Sequence, residues 1–329
     1  MMQTVKIVLD TLGGDKGPAE LLKGAAEALR CHPELSFVFS GDPVLIREQA
    51  GELTIPSERF EILEAPVAVT QFDHAADALF QKTESSMLKG LRTLGEREDL
   101  FGIISCGNTG VLLPGAVRYL SGAKRVRPAM AALLPAETGG FVCLVDAGAT
   151  IDCSKDLLLH FAHLGSSFMA RMYGIERPRV GLLSNGAEPT KGNALVKETH
   201  PALAEDPEIC FVGNIEGSRA LSGDCDVLVC DGFAGNQVLK VTEGTARRIL
   251  TDIARYAKKT GSSDALDLFR HLMGVYDISS LGGGILLGVE KPVLKARGDA
   301  GAQAVISISQ MLLNMAQNKA VFDAAQNQI

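Results

Sequence analysis

The chain lacks the marks of several large protein classes. Its 329 residues contain no apolar run approaching the length of a membrane span. No basic-then-apolar signal pattern precedes the strand-like stretch Val5–Leu9, so a cytoplasmic location is expected. Seven cysteines are an odd number, and none falls in CxxC spacing, which argues against a disulfide framework and against structural zinc. The formal charge of −7 gives no support to bulk nucleic-acid affinity, so an acidic partner has to meet a local basic patch. GxGxxG after the first strand is missing, because Gly13-Gly14-Asp15 has the wrong spacing, and there is no Walker-type phosphate loop. Asp10, Asp15, Asp146 and Asp231 form no tight carboxylate cluster along the chain, so no metal is predicted.

What is present is a large apolar fraction, 46%, arranged as strands alternating with helices. Val5–Leu9, Leu35–Ser40, Phe60–Leu63, Phe101–Ser105, Ala129–Leu134 and Phe141–Val145 read as strands, the last two as a hairpin. Val180–Leu183, Cys210–Val212, Val227–Cys230 and Pro292–Ala296 continue the series, with apolar Ile285–Val289 following Gly282-Gly283-Gly284. Between them, helical spacing covers Leu21–Leu29, Ala75–Phe80, Ser85–Leu94, Asp156–Tyr173 and Ala300–Gln317, with further helices up to Leu120 and from near Asn236. This alternation predicts an α/β unit with a parallel sheet over 1–329, with room for two lobes. The stretch 257–280 reads as polar and irregular, except for Leu266, Phe269, Leu272, Met273 and Tyr276 on one helical face. It is the expected protrusion for contact with a second copy or a membrane.

The polar residues gather in turns after the strands, where α/β sheets bind ligands. Asp10 and Asp15, Asn108 and Thr109, Asp146, Asn185 with Lys191 and Asn193, Asn214 and Glu216, and Asp231 with Asn236 all fall there. In the stretch Asp231-Gly232-Phe233-Ala234-Gly235-Asn236 the glycines allow positive φ and close backbone approach at a helix start. Any one such turn is ordinary loop punctuation, but six of one character suit an oxyanion such as phosphate, or charge developing on an acyl oxygen. Cys106 stands at a strand end beside a helix start, yet no histidine lies in these turns to activate it.

Motifs in a fixed order then identify a resemblance. They are Asp10-x-x-Gly13-Gly14-Asp15-x-x-Pro18, Ser85-Ser86-Met87, Ser105-x-Gly107-Asn108-Thr109-Gly110, Arg127-Pro128-Ala129, Asp146-x-Gly148-Ala149 and Lys191-Gly192-Asn193. They continue in Gly213-Asn214-Ile215-Glu216-Gly217, Asp231-Gly232-Phe233-x-Gly235-Asn236, Lys240, Glu243-Gly244 and Gly282-Gly283. Over nearly its whole length the chain resembles the bacterial phosphate acyltransferases of phospholipid synthesis, which form acyl phosphate from acyl-(acyl carrier protein) and inorganic phosphate.

The resemblance implies a three-layer α/β/α fold similar to phosphotransacetylases and isopropylmalate dehydrogenases, a homodimer, and a peripheral link to the membrane. A membrane glycerol-3-phosphate acyltransferase would act downstream, and no cofactor is needed. Lys191, Asn193, Asn108, Asp231 and Asn236 are the catalytic candidates. Asp10, Gly13, Gly14, Asp15, Gly107, Thr109, Gly110, Asp146, Gly192, Asn214, Glu216, Gly232, Gly235 and Arg297 are the candidates for binding phosphate or substrate. Basic patches for the acidic carrier are Arg118, Lys124, Arg125 and Arg127, or Arg247, Arg248, Lys258 and Lys259.

The chain departs from the family pattern in its turns. Lys16-Gly17 stands for His-Ala, Thr150 for asparagine, Asn185-Gly186-Ala187-Glu188 for Asn-x-Gly-x-Glu, and Arg297-Gly298-Asp299 for His-Gly-Ser. Two alternatives therefore stand beside the main reading: phosphorolysis of a short-chain or unusual thioester, and a silent paralogue binding carrier protein or membrane. A dehydrogenase is more distant.

Overall fold

The computed structural model describes residues 4–122, 127–276 and 283–318. The chain opens with β1 (Val5–Asp10), α1 (Pro18–Cys31), β2 (Leu35–Gly41), α2 (Pro43–Glu52) and β3 (Phe60–Glu64). Next come α3 (Ala75–Gln81), α4 (Ser86–Glu96), β4 (Leu100–Ser105) and α5 (Thr109–Leu120). The middle of the chain holds β5 (Ala129–Pro135), β6 (Phe141–Val145), α6 (Lys155–Tyr173), β7 (Arg179–Ser184), α7 (Ala194–Glu205) and β8 (Cys210–Glu216). Then follow β9 (Val227–Val229), α8 (Gly232–Thr260), α9 (Ser263–Tyr276), β10 (Gly284–Leu287), β11 (Val293–Lys295) and α10 (Ala302–Gln317).

β2 and β5 are buried along their whole length, and β1 over its last four residues. Strands covered by helices on both faces read as such unbroken apolar runs, and the fold class is the expected three-layer α/β/α with a largely parallel sheet. The helices begin on short polar caps. Asp42, Ser85, Asn108, Ser154, Asn193 and Asp231 each accept a hydrogen bond from a first-turn N–H of the helix that follows.

Two units divide the chain: Met1–Pro128 with Gly282–Ile329, and Ala129–Leu281. In the first, the strand order is β3-β2-β1-β4-β11-β10, parallel except for β10 against β11. β2 and β3 extend to one side of β1 and β4 lies on the other, so the order reverses there. The carboxyl ends at such a reversal leave a ligand crevice, and here they carry Asp10 and Ser105. In the second unit the order is β5-β6-β9-β7-β8, with only β5–β6 antiparallel. After β8 the chain returns to insert β9 between β6 and β7, which brings the turn after β7 beside the start of α8.

Four local expectations change. Gly213–Gly217 is not a turn from its first residue, because β8 runs to Glu216 and carries Asn214 and Glu216 within a strand. Val180 pairs with Phe211 and Gly181 with Gly213, so Val212 is the extra residue of a bulge, where Gly213 takes φ 98°. Between the strands at Leu35–Ser40 and Phe60–Leu63, where no helix is expected, Asp42 caps and Pro43 opens α2. α8 begins at Gly232 rather than near Asn236. The stretch after Ala257 is helical rather than irregular: α8 continues to Thr260, and α9 follows with no buried residue. Positions 277–280 of that stretch lie outside the described residues, as do Lys124, Arg125 and Gly282. Among the described residues no helix is long and apolar enough to cross a membrane.

Candidate active site

In the first unit Asp10 is completely buried at the end of β1. Its Oδ1 accepts from Ser86 Oγ at 2.5 Å and its Oδ2 from Ser105 Oγ at 2.7 Å. Ser86 opens α4 and Ser105 ends β4, so one carboxylate pins three elements together. Burial pushes the Asp10 pKa up, while the two hydroxyls, the Leu12 N–H and the charge of Lys295 favour the ionised form. Gly13 crosses this carboxylate closely: a Cβ there would overlap Asp10 Oδ2 and stand 2.8 Å from the Gly107 nitrogen. Gly14 lies against Cys106, and the Asp15 N–H donates to the Gly298 carbonyl at 2.8 Å.

The turn after β4 is tied in the same way. Ser105 Oγ accepts from the Gly107 N–H at 3.1 Å. Asn108 Oδ1 accepts from the Gly110 N–H at 2.9 Å, while its Nδ2 donates to the carbonyls of Thr70 at 3.1 Å and Asp73 at 3.2 Å. Asn108 thus holds the start of α5, where Thr109 is the first helical residue, to the loop before α3. Its amide is committed to the protein rather than presented to a substrate. Arg297 Nε and Nη2 donate to Asp299 at 2.8 and 3.1 Å, so the guanidinium expected to bind an anion is engaged by its neighbour's carboxylate.

Cys106 is buried, and burial pushes its thiol up to about 12, far from the thiolate an attack would need. Cys106→Ala is expected to keep acyl transfer within a few-fold of the unsubstituted protein, with no acyl group trapped on the chain. A dead variant, together with a thioester isolated on Cys106, would reverse that assignment.

In the second unit Asp146 follows β6. Its Oδ1 accepts from the N–H groups of Met130 at 3.0 Å, Gly148 at 3.1 Å and Ala149 at 2.9 Å, and its Oδ2 from Thr150 at 2.6 Å. A carboxylate with four backbone donors folds its own loop and holds β5. Burial raises its pKa, and the four N–H groups oppose the rise. Thr150 serves through its backbone, donating to Asp146 and accepting from the Gly232 N–H at 2.8 Å. Neither bond uses the side chain that differs from the family pattern.

Asp231 caps α8 by accepting from the Ala234 N–H at 2.9 Å. Gly232 and Gly235 do not take positive φ, contrary to expectation; they lie in the first turn of α8. They allow close approach to protein instead. A Cβ on Gly232 would stand 2.6 Å from the Thr150 carbonyl oxygen, and one on Gly235 would overlap the carbonyl oxygen of Asp146. α8 is therefore pressed onto the 146–150 loop. This sets Asn236 beside Gly148, whose added Cβ would be 3.5 Å from that of Asn236.

The loop after β7 carries Lys191. Asn185 Oδ1 accepts from the Gly192 N–H at 2.8 Å, and Asn193 Oδ1 accepts from the Val196 N–H at 2.9 Å to cap α7. Asn214 Nδ2 donates to the Glu188 carbonyl at 2.9 Å, and the Lys191 N–H reaches the same oxygen at 3.0 Å. Glu216 closes β8, half-buried. Lys191 is exposed, and its Nζ has no hydrogen-bond or carboxylate partner among the described residues.

Of the five catalytic candidates, then, Asn108, Asn193 and Asp231 are helix caps. Among the described residues the side chains of Lys191 and Asn236 have no such tie; Lys191 stands on the loop after β7 and Asn236 near the start of α8 after β9, and these two strands are parallel neighbours. A cation and an amide donor at adjacent strand ends can hold an oxyanion and stabilise one that forms. Sequence reasoning did not foresee that Ser86 and Ser105 hold the Asp10 carboxylate, nor that His200 Nδ1 lies 3.0 Å from Asn214 Oδ1.

Comparisons with known proteins agree with this chemistry. A family model described as fatty acid synthesis protein matches residues 5–321. A phosphate acyltransferase of Dictyoglomus turgidum is 33% identical, with 97% of each chain covered. Another, from Thermoanaerobacter pseudethanolicus, is 36% identical, with 95% of this chain and 94% of the relative covered. Among solved structures, a phosphotransacetylase from Streptococcus pyogenes matches with a TM-score of 0.66 at 16% identity, covering 96% of this chain and 94% of its own. That last likeness shows a shared fold.

Proposed function

The chain belongs to the fatty acid synthesis protein family, and from that membership we propose that it transfers a fatty-acyl group from acyl carrier protein to inorganic phosphate, supplying acyl phosphate to phospholipid synthesis. The observation that carries this reading is Lys191, a cation without a partner among the described residues, on a tied loop at the end of β7. A phosphate oxygen attacks the thioester carbonyl carbon, Lys191 offsets the phosphate charge, and the Asn236 amide donates to the oxyanion that develops. The carbon–sulfur bond then breaks and the carrier thiolate leaves, and the proton that the hydrogen phosphate gives up ends on the thiol. Holding both reactants in line supplies much of the acceleration, so no protein nucleophile is required.

The carrier is acidic and needs a basic face. Arg118 is exposed but already engaged, donating to the Leu79 carbonyl at 2.8 Å and lying over the ring of Phe80. Arg247, Lys258 and Lys259 are exposed along α8 and favour the second patch. We further propose a homodimer formed through α9, whose Leu266, Leu268 and Tyr276 are exposed, with a peripheral membrane contact nearby.

The test is acyl-phosphate formation measured with carrier-protein and coenzyme A thioesters over a range of chain lengths. Long-chain acyl carrier protein is expected to be the best donor. A preference for short or unusual acyl groups would change the substrate and keep the chemistry. No acyl phosphate from any donor, with binding of carrier protein retained, would mark a silent paralogue.

A further inference from the structure

We propose that His200 and Asn214 are positioning residues for Lys191, acting through the Glu188 carbonyl to hold the phosphate-binding loop in place. The proposal rests on the reading of Lys191 as the phosphate ligand.

The bonding order has a single solution. The Glu188 carbonyl can only accept, so the Asn214 group that faces it at 2.9 Å is the amide nitrogen. Asn214 Oδ1 therefore faces His200, and the ring nitrogen 3.0 Å away, Nδ1, must carry the proton. The His200 ring meets Phe211 nearly edge-on, with centroids 5.0 Å apart and planes at 78°, which fixes the plane of the donor. A chain of donors thus runs from α7 through β8 to the Glu188 carbonyl, which also receives the Lys191 N–H. The bulge at Val212 takes part, because one extra residue shifts the alternation of β8 and decides which face Asn214 occupies.

The loop has little else to hold it. Asn185, Ala187, Glu188, Pro189, Thr190 and Lys191 are all exposed. A segment without buried apolar side chains keeps its order through its hydrogen bonds. Among the described residues, Asn214 to Glu188 is its side-chain tie to the body, while Asn185 to Gly192 and the Lys191 N–H to Glu188 bond it from within. Loosening the first lets the ammonium group wander, and phosphate then has to restore its order on binding.

Two substitutions separate the tie from general packing. His200→Phe keeps a ring against Phe211 and removes the donor. Asn214→Asp keeps the acceptor for His200 and removes the donor to Glu188. Each is expected to accelerate amide hydrogen exchange at Lys191 and Gly192. Each should also raise the phosphate Kd, measured by calorimetry, several-fold to about tenfold, the worth of one hydrogen bond. The KM for acyl thioester should stay unchanged, the melting temperature should fall only by what one lost buried hydrogen bond accounts for, and neither variant should weaken phosphate further in a Lys191→Ala background. Unchanged loop exchange or unchanged phosphate Kd in both variants would overturn the proposal. If exchange accelerates and Lys191→Ala itself leaves the phosphate Kd unmoved, the failure is that of Lys191 as the ligand. If Lys191→Ala weakens phosphate and the two variants do not, the failure is that of the tie.

Discussion

Lys191→Ala is expected to lower acyl-phosphate formation by roughly 10²–10³-fold, the usual consequence of removing one charged group that clamps a reacting phosphate. Stability should hardly move, since the side chain is exposed and has no partner among the described residues, and surface changes of that kind stay within about 0.5 kcal/mol. The loop should survive as well, because its bonds use the Lys191 backbone and the side chains of Asn185 and Asn214. Single-turnover rates at saturating thioester, with phosphate varied, check the expectation. Near-normal turnover in a folded Lys191→Ala variant would remove this residue from the reaction.

The largest effect on stability is expected at Gly235. An alanine Cβ there would overlap the Asp146 carbonyl oxygen and stand 2.8 Å from Cys230 Sγ. The oxygen belongs to a backbone already fixed by four bonds to the Asp146 carboxylate, so neither side can yield cheaply. Overpacking of this kind reaches about 3 kcal/mol or more. Gly235→Ala should therefore unfold at much lower denaturant than the unsubstituted chain, or fail to accumulate. Gly244 is the control within the same helix. Nothing lies within 4 Å of a Cβ added there. Gly244→Ala should stabilise by roughly 0.5–1 kcal/mol through helix propensity alone. If the two variants unfold alike, the contact between α8 and the 146–150 loop does not carry the fold as described.

These two glycines show where sequence reading succeeds and where it stops. Apolar runs such as Val5–Leu9 and Ala129–Leu134 announce strands because both faces of the sheet are covered, and the alternation of such runs with helices was legible. The motif around Asp231 is legible as important too, but its glycines take no positive φ; they let α8 approach the carbonyls of Thr150 and Asp146. Asn108, Asn193 and Asp231 illustrate a deeper ambiguity. A short polar side chain at a strand end can cap the next helix or meet a substrate, and the same residue types suit both tasks. Only the observed partners distinguish them. Asp146 is similar, since four backbone donors close on it from positions that no spacing rule links to its carboxylate. Gly213-Asn214 reads as a turn dipeptide, and a bulge uses the same glycine. His200 was invisible because its partner is Asn214, on a different element, and a lone histidine in a helix gives no sign of that.

The first unit is assembled from both ends of the chain, which has a consequence for how the protein is made. β11 supplies the far neighbour of β4, and Lys291 Nζ donates to the carbonyls of Leu94 and Arg97 at 2.8 and 2.6 Å. α10 lies so close on α1 that a Cβ at Gly24 would stand 2.8 Å from Ala302 Cα. All of those late partners are translated after the whole of Ala129–Leu281. On the ribosome the intervening unit can therefore reach its final structure while β4 and α1 still wait with apolar surface in water. A nascent chain halted just before Gly284 would have a finished middle and an unfinished beginning. The segment from β1 to α5 is thus translated before the middle unit yet matures after it, and is the part that folding helpers would hold longest.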